Sequence, residues 1–200
     1  MNIGKIICCD LDDTISNTAD TILQYALAYN KEILGRDSVI DYEIECGNYY
    51  YFAEMLKWNK ADTFGFFDLY YPKYLENIAC KHNAAKILRE LHYKGFLIHI
   101  ISARREQESG IVKKLTEQWL KKNDIIFDCL VLEAINKSNY VSTCNAIAFI
   151  DDSFENCLDV ALKTNAHVFL MDTWYNKKFI NSDIKRIHDW LEFKKYMLEL

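Results

Sequence analysis

The chain has 200 residues, 50% of them hydrophobic, so it can bury a core as one domain or as one domain with an insertion. Its formal net charge of -5 argues against a dedicated binder of polymeric nucleic acid, which needs a concentrated basic surface. No apolar segment approaches the length of a membrane span, and no charged leader precedes the first predicted strand, so we expect a cytoplasmic protein.

Strand and helix patterns alternate along most of the chain. Residues 5–9 form an unbroken apolar run, which is typical of a strand covered on both faces. Further strands are predicted at residues 96–101, 127–132, 146–150 and 167–170. Amphipathic helices are predicted at residues 84–93, 104–122, 153–163 and 183–200. This alternation predicts an α/β fold, a doubly wound, Rossmann-like parallel sheet with right-handed crossovers.

Residues 16–80 interrupt the alternation, and we predict that they form a helical insertion between the core segments 1–15 and 81–200. A first amphipathic helix is expected to end near Gly35. Eleven aromatic residues follow between Tyr49 and Tyr74. They either form a small helical core or, because so short a segment does not readily bury them all, line a pocket in part.

Acidic residues follow the first predicted strand directly, in the sequence Asp-Leu-Asp-Asp-Thr at residues 10–14. Ligands of open α/β sheets bind at the carboxyl ends of the strands. Neighbouring carboxylates at such an edge repel one another, so they need a cation or a proton, and Mg²⁺ is the natural cation. Three further polar motifs follow later predicted strands, namely Ser102, Lys137 and the pair Asp151 and Asp152.

This order of motifs resembles the haloacid dehalogenase-like phosphohydrolase superfamily, with the insertion in the position of that family's C1-type cap. Within the superfamily, residues 10–14, 101–104 (Ile-Ser-Ala-Arg) and 149–153 (Phe-Ile-Asp-Asp-Ser) look most like the 5'(3')-deoxyribonucleotidase group. Ser102 replaces the commoner threonine, and either hydroxyl can donate to phosphate. No glycine follows Lys137, whereas a glycine often follows the corresponding lysine of the family, so this motif departs from the family pattern.

The resemblance implies a role for each motif, and each role is chemically reasonable. Asp10 would attack phosphorus, and Asp12 would act as general acid and then as general base. The phosphate would be held by Thr14, Ser102 and Lys137. The metal ligands would be Asp10, Asp12 through its backbone carbonyl, Asp152 as the favoured direct ligand, and Asp151 in the first or second shell. Asp13 is interpreted as a loop or helix-start residue.

The implied activity is Mg²⁺-dependent hydrolysis of a small phosphorylated substrate, with a nucleoside monophosphate as the best candidate. An aromatic lid suits a nucleobase because flat rings stack. Predicted substrate contacts are Tyr50, Phe52, Trp58, Phe67 and Arg104, although Arg104 could equally be an exposed helix-start residue. A phosphatase of sugar phosphates or another metabolite is the alternative enzyme, and a non-catalytic metal-binding or interaction module is the alternative class. The oligomeric state is not predicted.

The seven cysteines are odd in number and contain no C-x-x-C pair. Because most lie in apolar runs, they are interpreted as reduced core residues rather than as a disulfide framework or a zinc site. His99 stands between two isoleucines and is expected to be a buried strand residue with a backbone partner rather than a ligand.

Overall fold

The computed structural model describes residues 5–38, 51–71, 73–106 and 110–200. The chain divides into two compact units. The core unit comprises Met1–Asn17 and Cys80–Leu200, and the helical unit comprises Thr18–Ala79. None of the helices in the described ranges combines the length and the apolar character needed to cross a membrane.

The core unit contains a six-stranded sheet in the order β3-β2-β1-β4-β5-β6, and every neighbouring pair is parallel. The strands are β1 (Lys5–Cys9), β2 (Phe96–Ile101), β3 (Cys129–Val131), β4 (Ala148–Asp151), β5 (His167–Met171) and β6 (Ile184–Ile187). The chain returns to the middle of the sheet between β3 and β4, so the predicted doubly wound fold is confirmed. Strands β1, β2 and β4 lie in the interior of the sheet and contribute fully buried side chains such as Ile7, Ile98 and Ile150.

Five helices of the core unit connect or follow these strands: α4 (Ala84–Tyr93), α5 (Ile111–Lys122), α6 (Lys137–Thr143), α7 (Phe154–Lys163) and α8 (Trp190–Met197). Helix α4 buries Ile87, Leu88 and Leu91 as one apolar stripe. It ends before Gly95, whose φ of +93° favours glycine and turns the chain into β2.

The carboxyl-terminal segment differs from the single helix predicted at residues 183–200. Residues Ile184–Ile187 pair with β5 as the edge strand β6, and α8 begins only at Trp190. The side chain of Asp189 accepts a hydrogen bond from the amide of Glu192 and so caps the helix there. Ile184 and Ile187 are three positions apart, a spacing that fits one face of a helix as well as the two buried ends of a short strand. This ambiguity explains why a helix was predicted here.

The helix predicted at residues 104–122 begins later, at Ile111. The Glu106 carboxylate accepts hydrogen bonds from the amides of Val112 and Lys113, which are in the first helical turn, and Gly110 has a φ of +69°. Arg104 therefore lies in the loop after β2, and not at the start of a helix. The short helix α6 was not predicted, since no apolar stripe of useful length marks it.

The helical unit contains α1 (Thr18–Glu32), α2 (Tyr51–Met55), α3 (Lys60–Tyr70) and a 3₁₀ turn at Lys73–Glu76. Its interior is largely aromatic. Tyr29, Phe52 and Phe66 are nearly or fully buried, and Phe52 makes ring contacts with Trp58, Phe66 and Phe67. A Cβ atom on Gly65 would lie 2.5 Å from the Tyr29 hydroxyl, so α3 and α1 approach closely at that point.

Candidate active site

The carboxyl ends of β1, β2 and β4 bring the predicted strand-end residues together. Asp10 follows β1, Ser102 follows β2, and Asp151 is the last residue of β4. The backbone continues the sheet pattern here, since the amide of Asp10 donates to the carbonyl of Ile150 at 2.9 Å. Because β1 lies between β2 and β4, its Asp10 is central to this edge.

Lys137 is the first residue of α6 and lies between two of these carboxylates. Its Nζ donates to Oδ1 of Asp10 at 2.5 Å and to Oδ2 of Asp151 at 2.7 Å. The lysine is 5% exposed. Burial alone would lower the pKa of Lys137, but the charges of Asp10 and Asp151 outweigh burial and raise it, so the ammonium form persists.

Asp10, Asp151 and Asp152 form a cluster in which one carboxylate oxygen from each residue lies within 4.8 Å of the others. Burial raises the pKa of Asp10. The charge of Lys137 opposes this shift, and the nearby carboxylates raise the pKa further. Burial and the charges of Asp151 and Asp13 likewise raise the pKa of Asp152. Among these groups, three carboxylates face one ammonium, so positive charge is needed for all of them to ionise.

The oxygen donors of this cluster fit a hard cation such as Mg²⁺. Oδ1 of Asp152 accepts from the Thr14 hydroxyl at 3.3 Å, and its Oδ2 accepts from the Tyr175 hydroxyl at 2.6 Å. Asp151 is held more tightly, because it accepts from Lys137 and from the amide of Ser153 at 2.7 Å. Protein donors thus fix Asp151 more firmly than Asp152.

Asp12 is held by residues that follow β2. Its carboxylate accepts from Nε of Arg104 at 2.9 Å and from Nη2 of Arg104 at 2.7 Å, and the Ser102 hydroxyl approaches it at 3.4 Å. Arg104 is only 6% exposed and also donates to the hydroxyl of Thr116 in α5. The alternative of an exposed helix-start arginine is therefore wrong. A bidentate pair of this kind fixes the orientation of both side chains.

The loop after Asp10 turns sharply. Asp13 has a φ of +57°, in the left-handed region, and no helix begins until Thr18. The carbonyl of Thr14 accepts from the indole of Trp190 at 3.0 Å, and the Ser16 hydroxyl donates to the carbonyl of Leu11. Of the two interpretations given for Asp13, the structure therefore supports a loop residue and not a helix-start residue.

The sequence analysis did not single out three residues that support this site. Tyr175 donates to the carboxylate of Asp152, Asn176 donates to its backbone carbonyl at 2.8 Å, and Thr116 accepts from Arg104. Tyr175 and Asn176 follow β5, so their position after a strand end was the available signal. Thr116 lies within a helix pattern and gave no signal.

The predicted aromatic contacts lie in the helical unit. Phe52 is 1% exposed and belongs to the interior of that unit, which corrects its predicted role as a substrate contact. Trp58 and Phe67 are half-buried. Trp58 donates from its indole to the side chain of Asn30 at 2.7 Å. Tyr50 lies outside the described residues.

Comparisons with known proteins agree with this fold. No family model matches the chain. A nucleotidase of Clostridium acetobutylicum is 25% identical over 187 residues, which cover 93% of this chain and 90% of that protein. A haloacid dehalogenase-like hydrolase of Streptococcus pneumoniae is 16% identical, with a TM-score of 0.66 over 98% of this chain and 100% of that chain.

A second solved structure, a haloacid dehalogenase family hydrolase of Deinococcus radiodurans, contains bound phosphate and sodium. It is 13% identical, with a TM-score of 0.67 over 98% of this chain and 96% of that chain. The fold matches along nearly the whole of both chains, and the sequence motifs occupy the expected strand ends. The chain therefore shares the α/β fold of these haloacid dehalogenase-like hydrolases.

Proposed function

We propose that this chain is a Mg²⁺-dependent phosphomonoesterase that hydrolyses nucleoside 5'- or 3'-monophosphates through an aspartyl-phosphate. The observation that carries the proposal is the placement of Lys137 between Asp10 and Asp151, at the strand end where Asp152 also lies. The name of the Clostridium acetobutylicum relative, a nucleotidase, supports the substrate class.

Asp10, Asp151 and Asp152 would hold Mg²⁺, with the backbone carbonyl of Asp12 as a further ligand. When bound, the ion supplies positive charge that reduces the repulsion between a phosphate dianion and the carboxylates. Lys137 adds a second positive charge at the same place. Thr14 and Ser102 are the proposed hydroxyl donors to the non-bridging phosphate oxygens.

In the first half-reaction, a carboxylate oxygen of Asp10 forms a bond to phosphorus while the bond from phosphorus to the ester oxygen breaks. Asp12 gives its proton to that leaving oxygen. Its pairing with Arg104 stabilises the anion that remains.

In the second half-reaction, the Asp12 carboxylate takes a proton from water as the water oxygen attacks phosphorus. The bond between phosphorus and Asp10 breaks, inorganic phosphate leaves, and the Asp10 carboxylate is restored. Asp12 ends the cycle protonated, so one residue serves both half-reactions.

We further propose that the helical unit is the cap that selects the substrate and excludes water. Trp58 and Phe67 are half-buried rings of this unit and are the proposed base contacts. Tyr50 is proposed from the sequence alone. Phe52 serves the packing of the unit instead.

The test is a panel of phosphate esters assayed with Mg²⁺, including nucleotides, sugar phosphates and an aryl phosphate. We expect the highest kcat/KM for a nucleoside monophosphate, and loss of turnover when the metal is chelated. A higher kcat/KM for a sugar phosphate would favour the metabolite phosphatase. Failure to release phosphate from any ester would favour the non-catalytic module.

A further inference from the structure

A second cluster of metal-ligating side chains lies in the core unit, apart from the carboxylates. Cys8 in β1 pairs in register with His99 in β2, and His99 pairs in register with Cys129 in β3. Register partners in a parallel sheet point to the same face, so these three side chains form a row across three strands. Cys9, the next residue along β1, points to the opposite face.

Helix α6 packs over this row with two residues that are four positions apart. Tyr140 and Cys144 therefore share one face of the helix. Sγ of Cys144 lies 3.7 Å from Sγ of Cys8. The Tyr140 hydroxyl lies 3.1 Å from Nδ1 of His99 and 3.3 Å from Sγ of Cys129. Four elements, β1, β2, β3 and α6, thus direct sulfur, imidazole and phenol groups to one place.

The ligand atoms of Cys8, His99 and Cys144 all lie within 4.8 Å of one another. Zinc–sulfur bonds of about 2.3 Å in a tetrahedral site place two sulfurs about 3.8 Å apart. The observed separation of 3.7 Å matches that geometry without any backbone movement. A hydrogen bond between two thiols has a similar length, so the nearby imidazole is what distinguishes this cluster from an ordinary cysteine contact.

The surroundings of the cluster also suit a soft metal. Phe149, which is the register partner of Cys8 on β4, and Val141 of α6 are buried in the same core cluster. No carboxylate belongs to this ligand group among the described residues. Thiolate and imidazole ligands favour zinc and other soft transition metals over Mg²⁺. His99 and Cys144 are half-buried, which gives an ion a route from solvent.

We propose that Cys8, His99 and Cys144 form a binding site for a soft transition metal of the zinc class, with Tyr140 orienting the imidazole. This assignment replaces the interpretation of these three residues as ordinary core residues, and it is independent of the proposed phosphatase activity. Outer hydrogen bonds to a ligating histidine are a regular feature of such sites.

A metal at this site would join β1 to α6. Cys8 precedes Asp10 by two residues, and Cys144 is the C-cap of the helix that begins with Lys137. An ion bound only by the folded protein stabilises it by mass action. We therefore expect the melting temperature of the reduced protein to rise when the metal is added.

The test uses Cd²⁺ as the probe, because thiolate-to-cadmium charge transfer absorbs in the ultraviolet and carboxylate ligands do not produce it. Reduced, metal-free protein is titrated anaerobically with Mg²⁺ in excess, so that the carboxylate cluster is occupied. We expect one Cd²⁺ per chain with this absorption. Cys144→Ser and His99→Gln should weaken binding by about tenfold or more, since even the loss of an outer partner costs about 10-fold to 100-fold.

Cys80→Ser is the matched control, because Cys80 is another half-buried thiol of the core unit outside the row. It should bind Cd²⁺ as the wild type does. Absence of the charge-transfer absorption in the wild-type protein, or equal weakening by Cys80→Ser and Cys144→Ser, would overturn the proposal.

A measurement on the wild type alone avoids any dependence on how the variants fold. Iodoacetamide labelling followed by peptide mass analysis should show that Cd²⁺ protects Cys144 and leaves Cys80 reactive. Equal labelling of Cys144 with and without Cd²⁺ would contradict the site.

Discussion

Both units of this chain bury aromatic rings, but the core unit also buries a cluster of paired charges. The core unit buries charge where its strands end, as Asp10, Lys137 and Asp151 show. The helical unit buries aromatic rings, among them Phe52 and Phe66. Burial of aromatic surface is stabilising in itself, whereas the free energy that burial of charges costs is often larger than the gain from their pairing. The buried charges therefore call for a functional explanation, and the buried rings are explained by packing.

The largest effect that would test this contrast is expected for Asp10→Asn. The amide cannot attack phosphorus, so we expect turnover of an aryl phosphate to fall by about 10⁴-fold or more. The same change removes repulsion from Asp151 and Asp152, so the melting temperature without Mg²⁺ should stay equal or rise. Activity assays and thermal unfolding check both parts, with Asp183→Asn at the exposed surface as control. Full turnover in Asp10→Asn would refute the nucleophile.

In the helical unit, the corresponding prediction concerns Phe52→Ala. Removal of this buried ring should lower the free energy of unfolding by about 3–5 kcal/mol, because it leaves a cavity among Trp58, Phe66 and Phe67. Denaturant unfolding measures the loss. Phe64→Ala, on the exposed side of α3 with 66% exposure, should cost far less. Equal losses in the two variants would show that Phe52 is not a packing residue.

Lys137→Met tests whether the buried charges of the core unit act together. The variant leaves Asp10 and Asp151 without their shared ammonium, so we expect a loss of about 3 kcal/mol in the free energy of unfolding. At saturating Mg²⁺, kcat should fall by about 10²-fold to 10³-fold. Lys163→Met, which removes only an exposed pair with Asp159, is the control and should change neither quantity appreciably.

The smallest expected effect belongs to Arg104→Lys. Lysine cannot keep the bidentate pair with Asp12, so we expect kcat to fall by about tenfold with little change in KM. Steady-state kinetics separates this positioning role from substrate binding. A rise in KM at unchanged kcat would instead make Arg104 a substrate contact, as the sequence analysis predicted. Arg105→Lys provides the comparison at an exposed neighbour.

The sequence predicts the strand-end residues well because a parallel sheet has only one edge at which its strands end. Asp10, Ser102 and Asp152 follow from that topology once the strands are recognised. The pairing of Arg104 with Asp12 does not follow from that topology, because Arg104 lies in a loop that the sequence pattern predicts to be helical. The edge strand β6 was missed for a related reason, because four residues carry too little periodicity to separate strand from helix.

The proposed site for a soft metal could not be predicted for a different reason. Cys8, His99 and Cys144 are far apart in the chain and share no spacing motif. Only the register between β1 and β2 and the position of α6 bring them together. Apolar runs identify the strands that contain Cys8 and His99, but their register depends on the packing of the whole sheet.

The bridge between Ser16 and Cys80 makes the fold modular. These residues pair as an isolated antiparallel bridge, and the amide of Lys81 donates to the carbonyl of Ile15 at 2.8 Å. The chain thus leaves and re-enters the core unit at adjacent points, the arrangement in which domain insertions are best tolerated. During evolution, the intervening segment could lengthen, shrink or be exchanged for another without disturbing a single pairing of the parallel sheet.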